Sequence, residues 1–320
     1  MKNPVIDTVK GLAIIGVLFA HMNFTGRFDD STLEFINTIQ LIFGWCVIAF
    51  FFCSGLVAKS ITTQLEFKKF IKKRFQRLVI PCIIFSLTYK LLMSIIYLTG
   101  LFSWSSPLPT NFQETIYFIF YPVSPQFYFL YYLFAISICV QILELIISRF
   151  IIFWIALVGF IISCFLMDIP LQSYGPEFNL LPAYILGYVF GFAISQFNQN
   201  TKTIIIIYYS SFYSTLIFLA FFFSNNNLFF QFITLVSLWL IIEYIPVLSK
   251  IFNKTKLGKY SSSIYVWHAP LLMPFLSILF VKTLGGGGII LFPILLGTIF
   301  ISIFLSKITM RYEWLRFWRF

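Results

Sequence analysis

Charged side chains are scarce in this chain of 320 residues. They make up 10% of the sequence, whereas an ordinary soluble domain carries about 25%. Hydrophobic residues reach 60% of the total, so water is not the main solvent of the chain. The shortage of charge therefore excludes an ordinary water-soluble domain.

Acidic residues and histidines are the scarcest polar groups. The chain has 11 acidic residues against 22 lysines and arginines, and it has two histidines. A net charge of +11 would suggest nucleic-acid binding in a soluble protein. Here the basic residues lie in short loops between apolar runs, where such residues set membrane topology. We therefore expect a lipid bilayer and no nucleic acid as a partner.

The motifs of common metal and cofactor sites are missing. The five cysteines lie in or beside apolar runs and lack close metal-ligand spacing. Neither a zinc site, a nucleophile elbow nor a nucleotide-binding glycine loop is present. The run Gly285 to Gly288 is interpreted as a flexible hairpin turn, because no helix-opening Lys-Ser/Thr follows it. No metal and no permanently bound cofactor are expected.

Long apolar runs fill most of the chain. One membrane-spanning helix needs about 20 apolar residues, and such runs recur along the whole length. They predict ten spans, at 9-26, 36-58, 79-101, 126-147, 150-167, 178-195, 203-224, 228-248, 260-281 and 287-306. The expected fold is all-α, a polytopic bundle of about ten transmembrane helices that forms one domain over residues 1-320, with no fused soluble domain.

The basic residues indicate how the chain is threaded. Ten spans place both termini on one side of the membrane, and short cytoplasmic loops retain lysine and arginine. With the N-terminus inside, all but three of the 22 basic residues fall in cytoplasmic segments; the exceptions are Arg27, Lys282 and Lys90. The sequence therefore predicts a multi-pass protein with both termini in the cytoplasm.

One basic segment, 65-78, is not expected to cross the membrane. Its apolar residues alternate with lysines and arginines, as in an amphipathic helix at a cytoplasmic surface. Arg74 and Arg77 stand one turn apart and would both face an anion such as a phosphate. Two topology-setting residues near lipid head groups would have the same spacing, so both interpretations stay open.

Lys10 and His21 are the polar residues of interest in the first span. Eleven steps of about 100° come close to three full turns, so both side chains would face the same way, about 16 Å apart. Lys10 would lie at the cytoplasmic mouth and His21 deep in the membrane, where imidazole suits proton transfer. Asp7 shares the mouth and could pair with Lys10. A histidine that merely bonds a neighbouring helix is the structural alternative.

Other candidates carry weaker signals. His268 is the second histidine, and Tyr265 shares its helix face; for His268 alone, a structural hydrogen bond is the favoured interpretation. Ser261 to Ser263 resemble a helix start. Ser54-Gly55 permits close helix approach, which favours packing. Glu144 could pair with a cytoplasmic lysine.

Six stretches, taken together and in order, resemble the acyltransferase-3 family of bacterial integral-membrane O-acyltransferases. They are Ile6-Asp7-Thr8-Val9-Lys10-Gly11 with His21, Phe50 to Gly55, Arg74-Phe75-Gln76-Arg77-Leu78 with Pro81, Phe127 to Leu130, Leu186-Gly187-Tyr188, and Ser263 to His268. The resemblance covers nearly the whole chain. The family pattern usually has arginine where this chain has Lys10, and tryptophan near Phe127-Tyr128.

The resemblance implies a cytoplasmic acyl-CoA donor, such as acetyl-CoA, used as a co-substrate. It implies a sugar hydroxyl of a surface polysaccharide (O-antigen or capsule) or of its lipid-linked glycan precursor as acceptor, and O-acetylation in the bacterial inner membrane. His21 would be the base, Lys10 a charge near the donor, and Arg74 and Arg77 the groups that bind the phosphates of coenzyme A. The alternative is a transporter or flippase of a glycan or small molecule, since ten helices with a midplane histidine also suit a proton-coupled carrier. Acylation of a small molecule is a third possibility.

Overall fold

The protein is helical throughout the part of the chain that the computed structural model describes, residues 3-22, 28-61, 63-99, 111, 113-114, 127-166, 180-195 and 227-312. Helix accounts for 89% of these residues and no strand occurs among them, so the predicted all-α fold is confirmed. The predicted seventh span at 203-224 and most of the outer loop between residues 102 and 125 lie outside the described residues.

The described residues form a chain of α-helices joined by short turns. In chain order they are α1 Pro4–Ala20, α2 Asp30–Ile42, α3 Cys46–Leu56, α4 Gln64–Arg74, α5 Ile80–Thr99, α6 Tyr128–Glu144, α7 Arg149–Leu166, α8 Leu181–Ile194, α9 Asn227–Tyr244, α10 Pro246–Thr255, α11 Leu257–Trp267, α12 Met273–Leu284 and α13 Leu291–Arg311. Two π-helical turns, Phe75–Val79 and His268–Leu272, connect α4 to α5 and α11 to α12.

Three stretches are long and apolar enough to cross a membrane: Asp30–Leu56, Gln64–Leu98 and Gly288–Arg311. A fourth arises if Leu228–Tyr244 and Pro246–Thr255, which meet at a 98° bend, form one broken span. Several shorter apolar helices, such as Leu181–Ile194, accompany them. By length and composition, three helices of the described residues, or four if the bent pair is one span, could therefore cross a membrane.

The basic segment 65-78 is continuous with the span that follows it. A helix of 35 residues, Gln64–Leu98, is about 52 Å long, whereas the hydrocarbon layer is about 30 Å thick. The 20 residues of α5 suffice to cross this layer, so the basic α4 extends beyond it. Pro81 lies just inside α5 and lacks the amide hydrogen that would bond the Arg77 carbonyl, and the π turn directly precedes it.

The described residues divide into two compact units, each made of three stretches of chain. Unit 1 comprises Met1–Val17, Gln40–Phe67 and Ile136–Lys259, and unit 2 comprises Leu18–Ile39, Lys68–Ala135 and Tyr260–Phe320.

Unit 1 is built on the close packing of α3 against α8. A Cβ added to Gly55 would overlap the carbonyl oxygen of Tyr188, and one added to Gly191 would overlap that of Phe52. Small residues allow helix backbones to approach in this way in membrane proteins, where burial of apolar surface drives association little. The predicted packing role of Ser54-Gly55 agrees with this interface.

A cluster around Arg149 joins three helix ends of unit 1. Its guanidinium pairs with Glu144 at the end of α6, bonds Ser60 after α3, and lies 3.6 Å from the ring centre of Phe192 in α8. It also donates to the Phe192 carbonyl oxygen at 3.4 Å. The partner of Glu144 is thus an arginine, not the lysine expected, because the short turn between α6 and α7 brings Arg149 next to it.

In unit 2 the glycine turn before α13 is anchored. Gly285 adopts φ +86°, which favours glycine, and the Asp29 amide donates to the Gly286 carbonyl at 3.1 Å. Hence the hairpin that the sequence suggested to be flexible is tied to the start of α2. Ser263 lies inside α11 instead of at a helix start, and its hydroxyl donates to that of Ser306 in α13 at 2.9 Å.

We expect Gly191→Ala to destabilise the protein, because the new methyl group would meet the backbone of Phe52, which cannot turn aside. Such overpacking typically costs about 1–3 kcal/mol. The melting temperature in detergent measures the effect.

Gly159→Ala is the matched control, because a Cβ at Gly159 meets nothing within 4 Å. It should leave the melting temperature unchanged or raise it, since alanine has the higher helix propensity. Equal melting temperatures for the two variants would contradict the packing described for α3 and α8.

Candidate active site

The helix that carries His268 is broken directly after it. Ala269 adopts φ −132° and ψ 152°, outside the helical region, and the π turn His268–Leu272 spans the break. Pro270 has no amide hydrogen and cannot bond the Val266 carbonyl one turn earlier. The Tyr89 hydroxyl donates to that oxygen at 2.6 Å, so a side chain from α5 replaces the missing backbone donor.

His268 is held by the same turn of α11. Its Nδ1 lies 2.7 Å from the Tyr265 carbonyl oxygen and 3.2 Å from that of Ile264. A carbonyl oxygen only accepts hydrogen bonds, so Nδ1 carries the hydrogen and the Nε2 of neutral His268 has a lone pair. The side chain is fully buried, and Nε2 has no hydrogen-bond partner among the described residues.

His21 lies beside His268. The ring centres are 5.0 Å apart, with the planes tilted by 49°. His21 follows the last residue of α1, and its amide donates to the Leu18 carbonyl at 3.2 Å in a tighter final turn. The imidazole of His21 is partly buried, and it contacts the fully buried ring of His268 in the interior of unit 2.

Aromatic rings surround the histidine pair. The Tyr265 ring is 5.8 Å from that of His268 and 5.1 Å from that of Phe129. On the α5 side, Phe85 packs edge-on against Trp267 at 5.0 Å, and Tyr89 stacks on Phe127 at 5.7 Å. Apolar walls of this kind exclude water and strengthen any electrostatic interaction inside them.

The other predicted residues lie in separate settings. Asp7 and Lys10 belong to unit 1, where both are partly buried and form no ion pair with each other. Gly258 in α11 packs against the Asp7 backbone so closely that a Cβ there would overlap the Asp7 carbonyl. Ser54 is partly buried next to Gly55, in the packing interface of α3.

Arg74 and Arg77 bracket the start of the first π turn in unit 2. The Arg74 guanidinium lies 5.4 Å from the ring centre of Phe70, and Arg77 is exposed. An i→i+5 turn holds more residues than an α turn, so three steps complete less of a revolution than in an α-helix. The two side chains therefore diverge more than the sequence spacing suggested.

Sequence reasoning undervalued His268 and missed Tyr89. The one available signal was Pro270, which stands two residues after His268 and predicts a break that leaves carbonyl oxygens to be satisfied by side chains. No group of three or more metal-binding side chains occurs within the described ranges.

Tyr89→Phe should destabilise unit 2, because it leaves the buried Val266 carbonyl without a donor. Loss of one partner from a buried hydrogen bond costs about 1–3 kcal/mol. A lower melting temperature in detergent is the expected result.

Tyr97→Phe serves as the control, since Tyr97 is on the same helix and exposed. Its melting temperature should match that of the unmodified protein. A Tyr89→Phe protein as stable as this control would show that the hydroxyl does not support the break.

A protein-family model described as an acyltransferase domain, the acyltransferase-3 model, matches residues 3–307. No curated protein and no solved structure matches the chain. The family match covers nearly the entire sequence, and the apolar helices described above fit a membrane protein. The chain therefore belongs to the acyltransferase-3 family of membrane acyltransferases.

Proposed function

We propose that this protein is an O-acetyltransferase of the bacterial inner membrane, with ten spans and both termini in the cytoplasm. Acetyl-CoA, or another acyl-CoA, is the donor, and a sugar hydroxyl of a surface polysaccharide or its lipid-linked precursor is the acceptor. The observation that carries the proposal is the position of His21, whose imidazole contacts a buried ring inside unit 2. A base in this setting can meet a hydroxyl away from bulk water.

His21 accepts the proton in the proposed reaction. The acceptor oxygen attacks the thioester carbonyl carbon, and the hydroxyl proton moves to the imidazole of His21. The new C–O bond forms, the C–S bond breaks, and the proton passes to the coenzyme A sulfur. The products are the sugar ester and free coenzyme A, and the histidine returns to its neutral form.

The basic helix α4 supports donor binding. Its residues are exposed or partly buried and include Lys68, Lys69, Lys72, Lys73 and Arg74. Arginine pairs with phosphate through a planar fork, and the Phe70 ring below Arg74 restricts the guanidinium. In this proposal Arg74 and Arg77 bind the phosphates of coenzyme A, and Lys10, with Asp7 near it in α1, provides positive charge at the cytoplasmic mouth.

The carrier alternative has one observation in its favour. The 98° bend between α9 and α10 is of the kind that transporters use at substrate sites. Transporters built from repeats usually place such breaks in corresponding positions of both halves, whereas this bend and the break at His268–Leu272 both lie in the second half of the chain. The acyltransferase proposal is therefore the stronger one.

His21→Ala should abolish O-acetylation in the native host. Removal of a general base typically lowers the rate by about 10²–10⁴-fold. Nuclear magnetic resonance of the isolated surface polysaccharide measures its O-acetyl groups, and immunoblotting checks that the variant reaches the membrane. Unchanged acetylation together with lost glycan export would support the carrier instead.

Arg74→Ala and Arg77→Ala should each raise the KM for acetyl-CoA about tenfold or more, because a charge-assisted contact to phosphate is lost. The measurement is the transfer of radiolabelled acetyl groups from acetyl-CoA to native-host membranes by the purified protein.

The control is Arg311→Ala, which removes an exposed arginine at the end of α13. It should leave the KM unchanged. If both α4-side variants kept the unmodified KM, the donor site would lie elsewhere.

A further inference from the structure

The two ring nitrogens of His268 have different surroundings. Nδ1 donates to the Tyr265 carbonyl at 2.7 Å, whereas Nε2 is buried and has no hydrogen-bond partner among the described residues. Most buried polar side-chain atoms have a partner, because the loss of hydration is otherwise uncompensated. An acceptor left open in the interior can therefore take a donor that arrives during function.

The break at Pro270 explains the first nitrogen only. A side chain that donates to the Tyr265 carbonyl stabilises the interrupted turn, and an asparagine amide would do this equally well. Nothing in this capping role requires a second nitrogen with a lone pair. The reason for an imidazole at this position must lie on the Nε2 side.

The neighbour on which this lone pair can act is His21. The ring centres are 5.0 Å apart, a separation at which nitrogens of two imidazole rings can lie at an ordinary hydrogen-bond length of about 2.9 Å. The nearby rings of Tyr265, Phe129 and Trp267 present mainly apolar surface.

We propose that His268 is the positioning partner of His21: its Nε2 accepts a hydrogen bond from the N–H on one ring nitrogen of His21, while the other ring nitrogen of His21 takes the hydroxyl proton. This inference rests on the proposed function, in which His21 is the base. His268 itself stays neutral, because its Nδ1–H remains on the Tyr265 carbonyl. An imidazolium in an apolar site is costly, and the adjacent lone pair stabilises it through a charge-assisted bond.

The step balances without any further reactant. The acceptor oxygen forms its bond to the acyl carbon, the C–S bond breaks, and the hydroxyl proton moves to His21. While that proton is on one ring nitrogen of His21, the N–H on the other ring nitrogen donates to Nε2 of His268. The proton then leaves for the thiolate sulfur, and both histidines are again neutral. His268 orients the ring of His21 and need not touch either substrate.

Three substitutions at His268 separate this role from capping. Asparagine places an amide N–H near the position of Nδ1 but has no acceptor near Nε2. Glutamine places a carbonyl oxygen near the position of Nε2. Phenylalanine keeps a ring and removes both polar atoms. The three variants are compared with the unmodified protein by the radiolabelled transfer assay and by melting temperature.

His268→Asn should retain the melting temperature and the KM for acetyl-CoA, while kcat falls about 10- to 100-fold, the size of one hydrogen bond to a charged group. His268→Gln should recover at least a third of the unmodified kcat, because the acceptor is restored. His268→Phe should lose both stability and activity. An asparagine variant with unmodified kcat, or a glutamine variant no better than asparagine, would overturn the proposal.

A second measurement does not depend on variants at His268. The chain has two histidines, so histidine-specific ¹⁵N labelling gives four ring nitrogens, and a His21→Ala sample assigns those of His268. We expect His268 as the neutral tautomer with hydrogen on Nδ1. Hydrogen on Nε2 instead would overturn the proposal, because Nε2 could then not accept a hydrogen bond from His21.

The failure of this inference can be distinguished from the failure of the proposed function. If the unmodified protein transfers no acetyl group from acetyl-CoA, the acyltransferase proposal fails, and the proposed role of His268 fails with it. If the unmodified protein is active and the asparagine variant is equally active, only the role of His268 fails.

Discussion

In an apolar surrounding, a backbone carbonyl that loses its helical partner must find another donor, and the candidate active site depends on this constraint. Pro270 interrupts the helix at His268–Leu272. The Val266 carbonyl takes the Tyr89 hydroxyl, and the Tyr265 carbonyl takes Nδ1 of His268. These two bonds fix α5 and the imidazole relative to the break. The orientation of the second histidine is therefore a consequence of a proline.

The proposed proton transfer depends on the geometry of the histidine pair, His21 and His268. One imidazole ends the last turn of α1, and the other is held by its own helix with its Nε2 lone pair open. Aromatic rings pack around the second imidazole, and electrostatic interactions are stronger in such apolar surroundings than in water. The acyl donor requires the opposite environment. An anionic coenzyme suits the exposed basic helix α4, which extends beyond the length needed to cross the hydrocarbon.

Four of the six stretches that carry the family resemblance form two groups in space. Phe127 to Leu130 and Ser263 to His268 contribute to the aromatic surroundings of the histidine pair in unit 2. Phe50 to Gly55 and Leu186 to Tyr188 meet in unit 1, where glycines bring the backbones of α3 and α8 together. The first group surrounds the proposed site, and the second group packs two helices together. The motifs of one family pattern thus serve two different physical purposes, the surroundings of the histidine pair in unit 2 and close helix packing in unit 1.

The sequence by itself predicted the all-α fold, the presence of apolar spans and the basic segment before α5, and it proposed His21 as a base, because hydropathy and helical period are local properties. The sequence also indicated the family, because its short motifs occur in the order typical of that family. Only the tertiary structure decided that His268 lies against His21, that its Nδ1 is bonded, and that its Nε2 has no partner among the described residues. Periodicity states which residues share a helix face but not which distant helix that face meets. The sequence therefore favoured a purely structural hydrogen bond for His268, although packing gives it a neighbour on which its second nitrogen can act.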